Sequence, residues 1–179
     1  MAHVAIFHSV HGRRPAELTL GGLLREDGHT VEVPDLYDGE STEDIDEGFA
    51  LSERVGWDTI VERATAALDA MPAETVLVGV SMGAALVGDL WPTRPDAAAV
   101  VLLHAVAEAP PDVRVPVQVH VAVGDRFAPE PALSALAPHA VIYRYPDAGH
   151  FFTDAAGPDH DAEAAALAVG RVRGLLRTL

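Results

Sequence analysis

Apolar residues along this chain gather in six short, nearly continuous runs, at residues 4–9, 30–33, 75–79, 98–103, 117–121 and 141–145. A run that is apolar at successive positions suits a strand covered on both faces, as in a parallel sheet. Between most of these runs the period lengthens to that of a helix. Residues 15–27 carry Leu18, Leu20, Leu23 and Leu24 and stop before Gly28, a residue suited to a helix C-terminus. Residues 59–70 repeat the amphipathic pattern and Pro72 follows them. Residues 82–90 are rich in small side chains, and residues 161–176 form an Ala-, Leu- and Arg-rich run. Alternation of this kind implies βαβ units with right-handed crossovers.

Two stretches break the alternation. Residues 35–53 hold eight acidic side chains in nineteen positions, with Gly39 and Gly48 among them. They read either as a solvated loop or as an acidic cap, spanning 35–57, over a pocket. Residues 105–116 contain three prolines. With no internal repeat and no low-complexity linker, the expectation is one domain over residues 1–179.

Composition narrows the function classes. Hydrophobic residues at 49% and charged residues at 22% are ordinary for a globular chain, so wholesale disorder is not expected. Cysteine is absent, which removes disulfides, a thiol nucleophile and thiolate metal sites. A formal net charge of −15 repels phosphate backbones, so no nucleic-acid partner is expected. No apolar run reaches the roughly 18 residues of a membrane span, and residues 1–9 lack the pattern of a signal peptide. The expectation is a cytoplasmic protein with no membrane partner; a homodimer is left open.

The strongest chemical signal is Gly79-Val80-Ser81-Met82-Gly83, a G-x-S-x-G pattern between a strand-like run and a helix-like run. That setting makes a tight turn which projects the serine at a helix N-terminus, where free N–H groups favour negative charge. A serine hydroxyl needs a base, and the base needs an orienting acid. In this fold class the order along the chain is serine, acid, histidine. His150 follows the last strand-like run and Asp125 follows the fifth, so both fit, with Asp147 and Asp154 as fallback acids. Backbone N–H groups of Met82 and Val10, the latter in the loop 8–12, are the expected oxyanion donors. His8 and His11 alone do not make a metal site, so no metal and no cofactor are expected. His11, Tyr37, Trp57, Phe127 and Phe151, with Phe152, are candidates for an apolar pocket, and plain core is the alternative for each.

These residues resemble the dienelactone hydrolase family. The likeness runs along nearly the whole chain and is clearest at residues 8–12, 34–39, 79–84 and 148–152, with Pro34-Asp35-Leu36-Tyr37 the most family-specific stretch. It implies a three-layer α/β/α-hydrolase fold, trimmed of the family's N-terminal antiparallel strands, with about six parallel strands in the order 2-1-3-4-5-6. Three departures qualify the substrate. Ser81 stands where the family's type enzyme has a cysteine. Ser9 takes the place of its oxyanion-loop glutamate. Thr153 or Asp154 occupies the place of an arginine that would hold a substrate carboxylate. The expected reaction is therefore hydrolysis of a small-molecule ester, lactone or thioester through an acyl-enzyme on Ser81. The rivals are a lyase, cyclase or isomerase on the same site, or a non-catalytic flavodoxin-like binding module.

Overall fold

The computed structural model describes residues 1–179. The six apolar runs become β1 (His3–Phe7), β2 (Thr30–Glu32), β3 (Val76–Val80), β4 (Val100–Leu103), β5 (Val117–Ala122) and β6 (Val141–Tyr145). They form one all-parallel sheet in the order β2-β1-β3-β4-β5-β6. The helices are α1 (Pro15–Glu26), α2 (Ile45–Val55), α3 (Trp57–Asp69), α4 (Met82–Leu90), α5 (Glu130–Leu136) and α6 (Ala162–Leu176). Side chains alternate across the sheet and feed two cores. Val4, Ile6, Val78 and Val101 meet Leu20 and Leu24 of α1 and Val172 and Leu176 of α6. Ala5, Phe7, Leu77 and Leu102 meet the opposite layer, α2 to α5. Strands covered on both faces must be apolar at successive positions, which is why the runs are continuous.

The acidic stretch is not a bare loop. It contains α2, whose start is capped by the Asp44 carboxylate accepting N–H bonds from Asp46 and Glu47. Asp46 and Glu47 lie in the first turn, where negative charge is favoured by the helix dipole. Much of the acidity thus belongs to the start of a helix, and Gly48 and Leu51 are buried on its inner face. The short helix α5 is also absent from the sequence reading. It has one buried pair, Leu133 and Leu136, too little to give a period. The sheet ends at β2, only three residues long, and at β6, where Val141 is exposed. No helix is long and apolar enough to cross a membrane.

The centre of the sheet is packed to backbone contact. A Cβ on Gly83 would lie 2.1 Å from the carbonyl oxygen of Phe7 in β1, and one on Gly79 would lie 2.4 Å from the carbonyl oxygen of Gly83. Neither glycine needs a positive φ; each is there so that α4 can lie directly on β1 and β3. Gly83→Ala is therefore expected to cost about 3 kcal/mol or more of unfolding free energy, as overpacking against immovable backbone does. Urea denaturation checks it, and an unchanged midpoint would contradict this packing.

Candidate active site

Ser81 follows β3 and caps α4 with φ 53° and ψ −107°, a conformation that costs a non-glycine residue about 1–3 kcal/mol. It is held from both sides: its N–H donates to the Leu103 carbonyl at 2.8 Å, and its carbonyl accepts the Ala84 N–H at 2.8 Å. The turn brings Ser81 Oγ to 2.9 Å from His150 Nε2. His150 Nδ1 lies 2.6 Å from Asp125 Oδ2, and Asp125 Oδ1 accepts the Phe127 N–H at 2.9 Å. A carboxylate beside Nδ1 requires the proton there, which leaves the Nε2 lone pair for the serine hydroxyl. The Asp125 side chain is only 2% exposed. Burial raises its pKa, but the bonds from His150 and the Phe127 N–H outweigh that and hold the carboxyl below its ordinary value.

Packing fixes the His150 ring. Phe127 lies 4.5 Å and Phe151 4.2 Å from it, centroid to centroid. His104, at the end of β4, lies 5.9 Å away. His104 has a positive φ of 68° and its Nε2 is 2.6 Å from the Thr153 hydroxyl. It thus ties β4 to the segment that carries His150. The fallback acids are elsewhere engaged. Asp154 pairs with Arg14 at 3.4 Å, both side chains 8% exposed, and Asp147 occupies a turn with φ 62°.

On the other side of Ser81, Met82 is the first residue of α4, so its N–H has no partner within the helix. The loop 8–12 is buried throughout. The Glu17 carboxylate holds its Ser9 N–H and the Arg14 N–H, and the His8 ring bridges the Ser9 carbonyl and the Leu36 N–H. Gly12 bridges to Ser41, and the Thr42 N–H donates to the His11 carbonyl at 2.9 Å.

A cleft of about 750 Å³ opens beside His150 and Asp125. Of the aromatic and histidine candidates it takes His11, Phe127 and Phe151, with Arg14 and Ile45 added. Tyr37 is elsewhere, wholly buried, with its hydroxyl donating to Met82 Sδ at 3.0 Å. Trp57 is elsewhere too: it begins α3, half-exposed, and its indole N–H donates to Asp89 at 2.8 Å. Phe152 is core. Phe49, on the exposed side of α2 and 6.2 Å from Phe127, went unread because its helix was hidden in the acidic stretch.

The family model described as the dienelactone hydrolase family matches residues 2–179. Among solved structures, a dienelactone hydrolase-like promiscuous phosphotriesterase from metagenomic libraries is 19% identical, with TM-score 0.78 over 100% of this chain and 87% of that one. A cold-adapted esterase from an Arctic intertidal metagenomic library is 16% identical, with TM-score 0.68 over 97% and 82% of the two chains. A metagenome-derived lipolytic enzyme is 15% identical, with TM-score 0.71 over 99% and 94%. These likenesses establish the fold. No curated protein sequence matches the chain.

Three buried histidines near the sheet make acid stability a test of this architecture. Burial pushes His8 down to about 4, and His104 and His120 down to about 3, from an ordinary 6.5. The unfolded chain therefore takes up protons that the folded one refuses. Stability is full above pH 6.5 and falls as the pH drops towards the depressed values, by about 2 kcal/mol per histidine at pH 5. His11, also lowered chiefly by burial, adds to the three, and Glu17, raised chiefly by burial, runs the other way. Urea midpoints should fall steeply between pH 7.5 and pH 5, and His120→Gln should remove roughly a quarter to a third of that slope. A midpoint constant over this range would mean that these rings are protonated in place.

Proposed function

This chain belongs to the dienelactone hydrolase family, and from that premise we propose that it hydrolyses an ester, lactone or thioester through an acyl-enzyme on Ser81. The observation that carries the proposal is the unbroken line from Asp125 through His150 to Ser81 Oγ, on a serine held in a strained turn at a helix N-terminus. Asp125 keeps the Nδ1 proton in place. His150 Nε2 takes the hydroxyl proton as Ser81 Oγ attacks the carbonyl carbon. Negative charge gathers on the carbonyl oxygen, beside the N–H groups of Met82 and Val10. Collapse of the tetrahedral species expels the leaving group, which receives the proton from His150. Water then repeats the sequence on the acyl-serine and frees the acid.

The cleft favours an ester without a carboxylate near its carbonyl. Two arginines lie in the wall: Arg14 is taken up by Asp154 and by the Thr42 carbonyl, Arg126 lies over the Phe127 ring, and the carboxylates of Glu43, Asp44 and Asp159 line the same cleft. Phe127, Phe151 and Ile45 offer apolar contact instead.

A fluorophosphonate should add one covalent adduct, mapped to Ser81 by peptide mass analysis. Ser81→Ala should remove the adduct and lower kcat on p-nitrophenyl esters by about 10⁴–10⁶, with the thermal midpoint little changed. Asp125→Asn should cost about 10⁴ by imposing the wrong tautomer. Adduct formation on Ser9, or labelling that survives Ser81→Ala, would show that another residue is the nucleophile.

A further inference from the structure

Helix α2 carries an interior glycine, which a helix disfavours relative to alanine, and Gly48 is buried rather than at either end. The reason is contact. A Cβ on Gly48 would lie 2.9 Å from the carbonyl oxygen of Val10, 3.2 Å from its carbonyl carbon and 3.3 Å from its Cγ2. Two of these are backbone atoms, which cannot swing aside as a side-chain tip can. One turn further along the same face, the Ser52 hydroxyl lies 3.7 Å from Met82 Sδ, and Tyr37, from the segment leading into α2, donates to the same sulfur. Val10 and Met82 are the two residues whose N–H groups are expected to receive the oxyanion. One helix face, at positions i and i+4, therefore touches both. The strand of chain before α2 adds two more ties to the same loop, the Gly12–Ser41 bridge and the Thr42 N–H on the His11 carbonyl.

We infer that α2 is a brace that sets the spacing of the two oxyanion donors, with Gly48 as its positioning residue, and that it does not work as an opening lid. This rests on the acyl-transfer reading above. A lid would meet the cleft through side chains that can part. The contact here is backbone against backbone, and it lies on the oxyanion loop itself. Misplacing a donor by a fraction of an ångström weakens the transition state more than the bound substrate, because the full charge on the oxygen exists only in the transition state. The effect should fall on kcat and leave KM nearly alone.

The experiment compares steady-state hydrolysis of p-nitrophenyl acetate and p-nitrophenyl butyrate, and the rate of fluorophosphonate addition at Ser81, in wild type and Gly48→Ala. Gly48→Ala should lower kcat by about 10–100-fold with KM within about threefold, and slow fluorophosphonate addition in parallel. Gly22→Ala in α1 and Gly170→Ala in α6, where a Cβ meets nothing within 4 Å, should leave all three quantities unchanged. A folded Gly48→Ala with unchanged kcat overturns the brace. So does a fall confined to KM, which would place α2 in substrate binding. If Gly48→Ala fails to melt cooperatively, Ser52→Val decides: it replaces the hydroxyl against Met82 and should lower kcat by about three- to tenfold at constant KM, and no change overturns the inference. Wild type that neither labels at Ser81 nor hydrolyses any ester overturns the acyl-transfer reading, and the brace falls with it.

Discussion

Ser81 keeps an unfavourable backbone conformation because everything around it is too close to let it relax. Gly79 and Gly83 allow α4 to lie on β1 and β3 at backbone contact, and the serine's own peptide groups are held by its N–H donating to the Leu103 carbonyl and its carbonyl accepting the Ala84 N–H. A residue with φ 53° persists only where its surroundings over-determine it. Here two glycines without side chains do that work by removing the space into which the turn could open. His150 and Asp125 can then meet a hydroxyl whose position is set by the core. Stability and geometry at this turn are one property, and both depend on the absence of two methyl groups.

The polar groups around that turn are arranged to stay neutral or paired. His8 bridges two backbone groups, and His120 lies between Gln118 and the Tyr145 hydroxyl. His104 reaches Thr153 beneath His150. Burial keeps all three rings neutral near neutral pH, so none sets a positive charge beside His150. Arg14 and Asp154 cancel one another in the cleft wall. The chain bears a net charge of −15, and the one carboxylate in the line to Ser81, that of Asp125, is paired with the His150 ring.

How much of this was legible depends on how each element advertises itself. Strands covered on both faces appear as continuous apolar runs, so all six could be read, while their order came from the resemblance to the family. Ser81, Asp125 and His150 each stand just past a strand, in the order this fold imposes, and the structure joins them in one line of hydrogen bonds. Helix α2 was hidden because its first turn is acidic for reasons of capping and dipole, which look like solvation when only charge is counted. Residue type alone could not sort the aromatics. Tyr37 and Trp57 satisfy their polar atoms inside the packing, on Met82 and Asp89, whereas Phe127 and Phe151 have none to satisfy and can face a cavity. The closeness of Gly48 to Val10 is a tertiary fact, and the chain shows only a glycine that a helix should not want.

The two ends of the sheet carry a consequence for how molecules of this protein behave beside one another. An outermost strand offers a row of free amides and carbonyls onto which another chain's strand can zip. β2 offers only three residues, Thr30, Val31 and Glu32, with the side chains of Thr30 and Glu32 exposed. β6 is longer, but Arg144 leans off it to Glu130, and Arg171 lies across the faces of Tyr143 and Tyr145. A short, acidic rim on one side and a cation-studded one on the other make poor templates for like-to-like fibrillar growth. In crowded solution the sheet is guarded at its flanks, and a concentrated stock should stay clear where a longer, flatter, uncharged edge would gel.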